Sequence, residues 1–545
     1  MGREVLALGT RVRALVAMLP ALLLVGQTYF AASGIVYTLD DPYIHLTLAR
    51  QIGQGHYGIN PGEFAAPSSS ILWPFLLVPF IFTAAGELVP LAINLAALLA
   101  TLWWIGRWFE TFVPASWATL ATVVVAFCFN LYGLPLNGME HSLQVMLVVV
   151  VALSLMQERL AWPFWLSVTL LPFIRYEGLA ISLPTLLYLF LTARHRLPAM
   201  VSGAVIVCGI GGFSAFLYSN GVGLLPASVM QRDAVSFSDR FPDVGRIVHN
   251  AEAQFYFVAI AAFAAVLYLR QGRSLVALLL LAAPTAAQLM FGLYGDASRY
   301  QIYFEIWVAI VFLAAYAQTT LVRGVLVNIL LAAGLVAGTT DAILVTLTTP
   351  LASRNIADQQ KQMATIAGEY LDEPVAILDL GLVSLRSRRY ILDLAGLASY
   401  EALVLRDNPD RQAWMPALME RHRVEHAIVD STDAGRRPAG WIHVANLYLP
   451  LPCITPGSND RVSFYSTNPE AAARLRAALV AYRKNSRGRA TMLMLIEAPT
   501  GGQDGLIPAV EDACDRSIFP LNINLLARTI SSARYKILKP RDAQR

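Results

Sequence analysis

Two adjacent carboxylates, Asp40 and Asp41, precede Pro42 in the run Thr38-Leu39-Asp40-Asp41-Pro42-Tyr43-Ile44-His45. Carboxylates this close repel as anions, so one holds its proton more tightly and can act as a general base near neutral pH. An aspartate N-cap with proline in the first helical turn would place the same residues, but a cap needs only one aspartate. Arg175 and Arg299 sit at the ends of apolar runs, and Arg232 lies in a polar loop. Guanidinium forks grip phosphate oxygens bidentately, although arginines at such places also snorkel to lipid headgroups. Ser68 and Ser69 offer hydroxyls and N–H groups that suit an anion, or simply cap the next helix. His45, Glu140, His141, Glu177 and Tyr300 add polar groups to the same set. A carboxylate base with arginines for a departing phosphate describes transfer of a phosphate-linked group to an acceptor.

The elements that must position these residues are set by an uneven composition. Of the 545 residues, 56% are hydrophobic and only 14% charged, with a mean hydropathy of +0.53. A soluble domain carries about 25% charge. Residues 1–350 hold 16 Arg, 16 Asp or Glu and no Lys, whereas residues 351–545 hold 25 basic and 21 acidic residues. Disordered, coiled-coil and fibrous classes are excluded. The net charge of +4 is too small to imply a nucleic-acid partner. The pattern predicts a polytopic α-helical membrane domain over 1–350 and a soluble α/β domain over 351–545.

About 20 apolar residues cross a bilayer. Runs of that kind predict about eleven spans, near 12–36, 88–108, 116–134, 142–157, 161–174, 178–193, 198–219, 253–269, 274–294, 301–319 and 322–346. Segment 70–86 carries Pro74 and Pro79 and reads as a proline-bent helix at the interface, within an outer loop spanning 37–87. With the N-terminus in the cytoplasm, ten of the 16 Arg fall on the inner side, which satisfies the positive-inside rule. The tail is then extracytoplasmic, and the polar clusters gather at the outer face as the lining of one cavity. Trp73, Trp103, Trp104 and Trp108 are expected in an interfacial belt.

At this point the residues resemble a known group. Asp40-Asp41-Pro42-Tyr43-Ile44, Ala49-Arg50, Gly55-His56, Asn60-Pro61-Gly62-Glu63 and Ser70-Ile71-Leu72-Trp73-Pro74 are similar to the first outer loop of the GT-C superfamily. These enzymes are polyprenyl-phosphate-sugar glycosyltransferases, and the nearest likeness is to the arabinofuranosyltransferase branch of cell-wall and pilin type. Asn137-Gly138-Met139-Glu140, Arg175-Tyr176-Glu177-Gly178, Leu225-Pro226-Ala227-Ser228 and Arg299-Tyr300 resemble later motifs in the right order. His141 stands where that branch has Thr, and Tyr176 where it has Pro.

The resemblance implies an inverting glycosyltransferase of a bacterial inner membrane. It would move a sugar, arabinofuranose in the nearest branch, from a polyprenyl phosphate to a glycan or protein acceptor, pilin included. Asp40 would be the base and Asp41 would orient the site or ligate a divalent metal, the one cofactor left open. Arg175, Arg299, Arg232, Ser68 and Ser69 would hold the donor phosphate. His45, Glu140, His141, Glu177 and Tyr300 would line the substrate site. Asp40→Ala is then expected to abolish transfer in a protein that still folds and binds donor.

In the tail, β-like runs at 374–379, 390–394, 426–430, 443–449 and 461–466 alternate with helical patterns near 353–370, 410–421 and 469–484. Gly381 to Ser384 follow a strand, but no dinucleotide or P-loop pattern is present. Cys128 and Cys208 lie in apolar runs, and Cys453 and Cys514 lie in the tail, where an oxidising compartment would permit a disulfide. Competing readings are a lipid-linked glycan ligase or polymerase, a transporter or flippase, and a sensor. A transporter predicts repeated halves with helices broken at mid-membrane, and no internal repeat is evident.

Overall fold

The computed structural model describes residues 2–193, 195–232, 244–295, 297–406, 411–430, 438–449, 454, 461–485 and 493–496. An apolar helix lies wherever the sequence predicts a span. Arg11–Ala32, Gly86–Phe109 and Arg196–Ser219 are each long and apolar enough to cross a membrane. Two bent pairs, Val244–Ala253 with Phe255–Arg270 at 86° and Val325–Gly338 with Thr340–Leu371 at 50°, are long and apolar enough only when taken together, as broken spans or re-entrant loops. Six more apolar helices have only 10–17 residues, shorter than a straight crossing needs. Length therefore supports three to five crossings directly, against about eleven expected.

The helix surfaces carry the apolar character outward. Leu23, Phe30, Trp162, Leu197, Val207 and Leu326 are all exposed, Phe30 to 81%. A bundle that turns such side chains outward is built for lipid, not water. Two of the tryptophans expected in an interfacial belt instead serve the core: Trp73 and Trp108 are buried, while Trp103 and Trp104 are half-buried. Segment 70–86 contains one short helix, Trp73–Leu77, followed by turns, as its prolines dictate. Cys128 is buried, Cys208 is exposed and both are free. Cys453 and Cys514 lie outside the described residues.

The helix Thr340–Asp358 runs through residue 350 without a break and carries the chain from the bundle into the tail. The tail is a six-stranded sheet of β1 (Val375–Ile377), β2 (Ile391–Asp393), β3 (His426–Asp430), β4 (Ile442–Tyr448), β5 (Arg461–Ser466) and β6 (Leu493–Leu495). The strand order is β2-β1-β3-β5-β4-β6. β1 pairs in parallel with both β2 and β3, and the remaining pairs are antiparallel. Five strands fall on the β-like runs of the sequence. Three-residue β6 is too short to announce itself there.

The tail docks onto the first outer loop. The helix Asp41–Gly53 packs against the helix Gly381–Arg386, with Thr47 Oγ1 and Ser384 Oγ 3.1 Å apart. Arg50 donates to the Leu385 carbonyl at 3.0 Å, and Arg386 pairs with Glu87 at 2.7 Å. Asn60 completes the dock. Its amide donates to the Ile391 carbonyl at 2.8 Å and accepts from the Ile391 N–H at 3.0 Å, standing in for a neighbouring strand at the edge of β2.

Candidate active site

Pro42 and the aspartate pair explain how the site starts. Pro42 fits the first turn of the helix Asp41–Gly53, where its missing N–H costs nothing. Gly138 makes room for that turn. It holds φ +70°, and a Cβ there would lie 2.6 Å from the Tyr37 ring and 2.8 Å from Pro42 Cβ. Thr38 and Asn137 join the two segments through a 2.6 Å hydrogen bond. Asp41, Ile44 and His45 then fall on one helical face, three to four residues apart. That face borders a cavity of about 310 Å³.

The cavity lies between the bundle and the tail. Asp40, Asp41, His45, Ser69, Ser228 and Arg299 line it from the bundle side. From the tail side come Gln360, Asp379 and the apolar Leu378, Leu380, Ala395 and Leu397. The Arg299 guanidinium is buried and donates to Asp41 Oδ2 at 2.8 Å and to the Tyr300 hydroxyl at 2.8 Å. Asp41 keeps about a third of its side chain exposed. The Tyr300 ring lies between two cations, 4.7 Å from the Arg299 guanidinium carbon and 5.4 Å from that of Arg175.

The two aspartates are not equivalent. Asp40 Oδ2 accepts from the Gly381 N–H at 2.6 Å and Oδ1 from the Leu382 N–H at 2.9 Å, so this carboxylate caps a helix of the tail. Gly381 is needed there because any Cβ would collide with the Asp40 carbonyl. Burial pushes the Asp40 carboxyl up to about 6 against those two N–H bonds, and the charge of Asp41 adds to the rise. Asp379, between β1 and the capped helix, is pushed up to about 8 by burial and by the charge of Asp40. Its bond from Gln360 Nε2, 3.1 Å, opposes that rise. His45 is held below its ordinary value, mainly by burial.

Several expected roles change. Arg175 does not border the cavity. Its Nη1 donates to Glu140 Oε1 at 2.6 Å, its Nη2 to Glu177 Oε1 at 2.7 Å and its Nε to Glu177 Oε2 at 3.1 Å. Two carboxylates therefore hold the guanidinium that was expected to bind phosphate. Glu140 and Glu177 balance a buried charge and neither lines the cavity; Ser69 Oγ, 3.4 Å from Arg175 Nη1, is the link to the cavity wall. Ser68 bonds to the backbone of Ser70 and is buried away from the cavity. His141 is buried with its ring 5.9 Å from that of Tyr300. The helix Ala227–Arg232 ends at Arg232, whose side chain lies outside the described residues, as does Asp296.

The sequence assigns no role to Gln360 or Asp379, and Ser228 enters only within the motif Leu225-Pro226-Ala227-Ser228. A usable signal for Asp379 was its place at the C-terminal end of a predicted strand, where α/β domains put their reactive loops. The side chains of Gln360 and Ser228 are buried, and among the described residues Gln360 Oε1, Ser228 Oγ and His45 Nδ1 have no hydrogen-bond partner. Three buried polar atoms left open around one cavity fit a polar ligand. Among the described residues no group of three or more His, Cys, Asp or Glu is placed to hold a metal ion, and Asp41 is paired with Arg299.

A domain of unknown function, DUF8728, matches residues 354–465 and so covers most of the tail, Gln360 and Asp379 included. No curated protein matches the chain in sequence. Two crystal structures of an Archaeoglobus fulgidus oligosaccharyltransferase resemble the fold. The form with zinc and sulfate has a TM-score of 0.45 and 13% identity, over 81% of this chain and 72% of that one. The form tethered to an acceptor peptide has a TM-score of 0.44 and 11% identity, over 85% and 74%. Likeness at this level leaves the chemistry to be argued from the cavity alone.

Proposed function

We propose that this chain is a membrane glycosyltransferase of the GT-C kind. It transfers a sugar from a polyprenyl phosphate to an acceptor hydroxyl on the extracytoplasmic side. The observation that carries the reading is the cavity at the bundle–tail junction, where a buried arginine faces a carboxylate of the first outer loop. An apolar bundle beneath it suits a long lipid tail, and Arg299 with the Ser69 and Ser228 hydroxyls suits a phosphate. The order of the sequence motifs supports the same class.

In this reading the acceptor oxygen forms a bond to the anomeric carbon and its proton passes to a carboxylate. The bond from that carbon to the phosphate oxygen breaks, and its electron pair stays on the departing polyprenyl phosphate. The anomeric configuration inverts. Asp41 is the better base of the pair, because each oxygen of Asp40 already accepts a backbone N–H. A phosphate on Arg299 competes with Asp41 for the guanidinium, so donor binding would release the base. Asp40 fixes the loop to the tail. Its replacement by alanine is expected to loosen the tail as well as lower activity.

Mass spectrometry of lipid that co-purifies with the intact protein tests the donor class. Polyprenyl phosphate, with or without sugar, is expected in the wild type and depleted at least tenfold in Arg299→Met. Finding none, together with no sugar transfer from any polyprenyl phosphate in reconstituted vesicles, would overturn the assignment. Movement of intact lipid across those vesicles without transfer would favour a flippase.

A further inference from the structure

The tail sheet has a topological switch point. From β1 the chain moves to β2 on one side and then to β3 on the other, all three parallel. In open α/β sheets, ligands settle in the crevice outside the carboxyl ends of strands where the order reverses. By that rule the switch crevice lies between β1 and β3, and the roof of the cavity is formed next to it, at the carboxyl ends of the parallel neighbours β1 and β2. Leu378, Asp379 and Leu380 follow β1, and Ala395 and Leu397 follow β2. The second loop is held by Asp393, which accepts from the Ala395 N–H at 2.8 Å and the Ala398 N–H at 2.6 Å.

The cavity is also divided in polarity. On the bundle side stand the Arg299 cation and the Ser69 and Ser228 hydroxyls; on the tail side stand Asp379 and Gln360. An anion is drawn to Arg299, and no cation lines the tail side to compete for it, whereas the carboxyl and amide there suit the hydroxyls of a neutral polyhydroxyl compound. Gln360 is 1% exposed; its Nε2 donates to Asp379 and to Gln359. Its Oε1 has no partner among the described residues, although it borders the cavity. A buried amide oxygen left open beside a carboxyl calls for hydroxyl donors.

We propose that this tail side of the cavity, under the carboxyl ends of β1 and β2, is the acceptor subsite, in which Asp379 and Gln360 hydrogen-bond neighbouring hydroxyls of a neutral sugar that receives the transferred group. The proposal rests on the glycosyltransferase reading and specifies its acceptor as a glycan. Burial keeps Asp379 protonated through much of the neutral range, so its carboxyl both donates and accepts, as a sugar hydroxyl requires.

The test uses the full-length protein in lipid nanodiscs with octyl glycosides of common neutral sugars as acceptors. Polyprenyl-phosphate-linked arabinofuranose, mannose and glucose serve as donors. Asp379→Leu and Gln360→Met are each expected to raise the acceptor KM at least tenfold while the donor KM moves less than twofold. Asp379→Glu is expected to recover part of that loss. Acceptor KM values within twofold of wild type in both variants would overturn the subsite. Transfer only to peptide hydroxyls and never to an octyl glycoside would overturn the choice of a sugar. Octyl-glycoside binding without donor, read by calorimetry, separates the two readings. If no donor is used but binding is present and lost in both variants, the glycosyltransferase reading fails and the sugar subsite stands.

Discussion

At the scale of single residues, the clearest consequence of the cavity is electrostatic. Asp379 lies among Asp40, Asp41 and Asp430, and its carboxyl is pushed from an ordinary 3.8 to about 8. The folded protein therefore keeps a proton that the unfolded chain has released. Between about pH 4 and pH 8 this group makes stability fall as pH rises; below pH 4 both states are protonated and the effect vanishes. Asp40 acts in the same direction up to about 6. Asp379→Asn should thus be more stable than wild type at pH 8 by at least about 1 kcal/mol, the worth of roughly one pKa unit. The gain should vanish near pH 4, and thermal melts in one detergent across that range check it. Arg175 and Glu140 predict the opposite kind of effect. Both are buried, at 1% and 0% exposure; Glu140 without Arg175 would be an uncompensated charge, whereas Arg175 without Glu140 keeps Glu177. Arg175→Met should cost about 3–5 kcal/mol and Glu140→Gln less, both read by loss of thermal stability, and the double variant should cost less than the sum.

Among the elements, the junction of the helices Asp41–Gly53 and Gly381–Arg386 does most to shape the site. Gly381→Ala puts a methyl group into the Asp40 carbonyl. It should detach the tail, seen as protease cleavage near residues 380–390 at least tenfold faster than in wild type. Gly211 offers the contrast, since a Cβ there meets nothing within 4 Å and Gly211→Ala should leave the cleavage rate unchanged. The same junction explains what the sequence could and could not reveal. Apolar runs and period-two strands come from local patterning, so the helices and five of the six strands were legible residue by residue. The Asp40-Asp41-Pro42 turn was legible too, because it lies within three positions. Long-range partnerships were not: Arg175 reads as a phosphate clamp until Glu140, 35 positions away, is seen against it. Nothing near Asp40 in sequence announces that it accepts from the N–H groups of Gly381 and Leu382, and Asp379 reads as a strand end until the tail folds back over the loop.

For the molecule as a whole, the outward-facing tail is a statement about topology, drawn from ten arginines on one side. A chain whose four cysteines are replaced by serine, with a single new cysteine, would test it. Glu420, exposed on the tail, and Gln271, exposed between two apolar helices, are suitable positions. Glu420→Cys should react with a membrane-impermeant maleimide in cells with an intact inner membrane, and Gln271→Cys only after permeabilisation. The reverse pattern would invert the orientation and remove the tail from the acceptor's side.

The cap between Asp40 and Gly381 joins residues 341 positions apart. During synthesis, the first outer loop leaves the ribosome hundreds of residues before its partner exists. The bundle can insert and pack in the bilayer while its cavity still lacks a roof. In the proposed topology, Asp40 acquires its two N–H donors and Asp379 arrives only when residues 375–382 have crossed the membrane and folded. Maturation of this site is therefore one of the last events in the protein's biogenesis. A nascent or truncated chain would carry the arginines and the lipid-facing bundle with no complete cavity, and on the proposed function it would be inactive before assembly is complete.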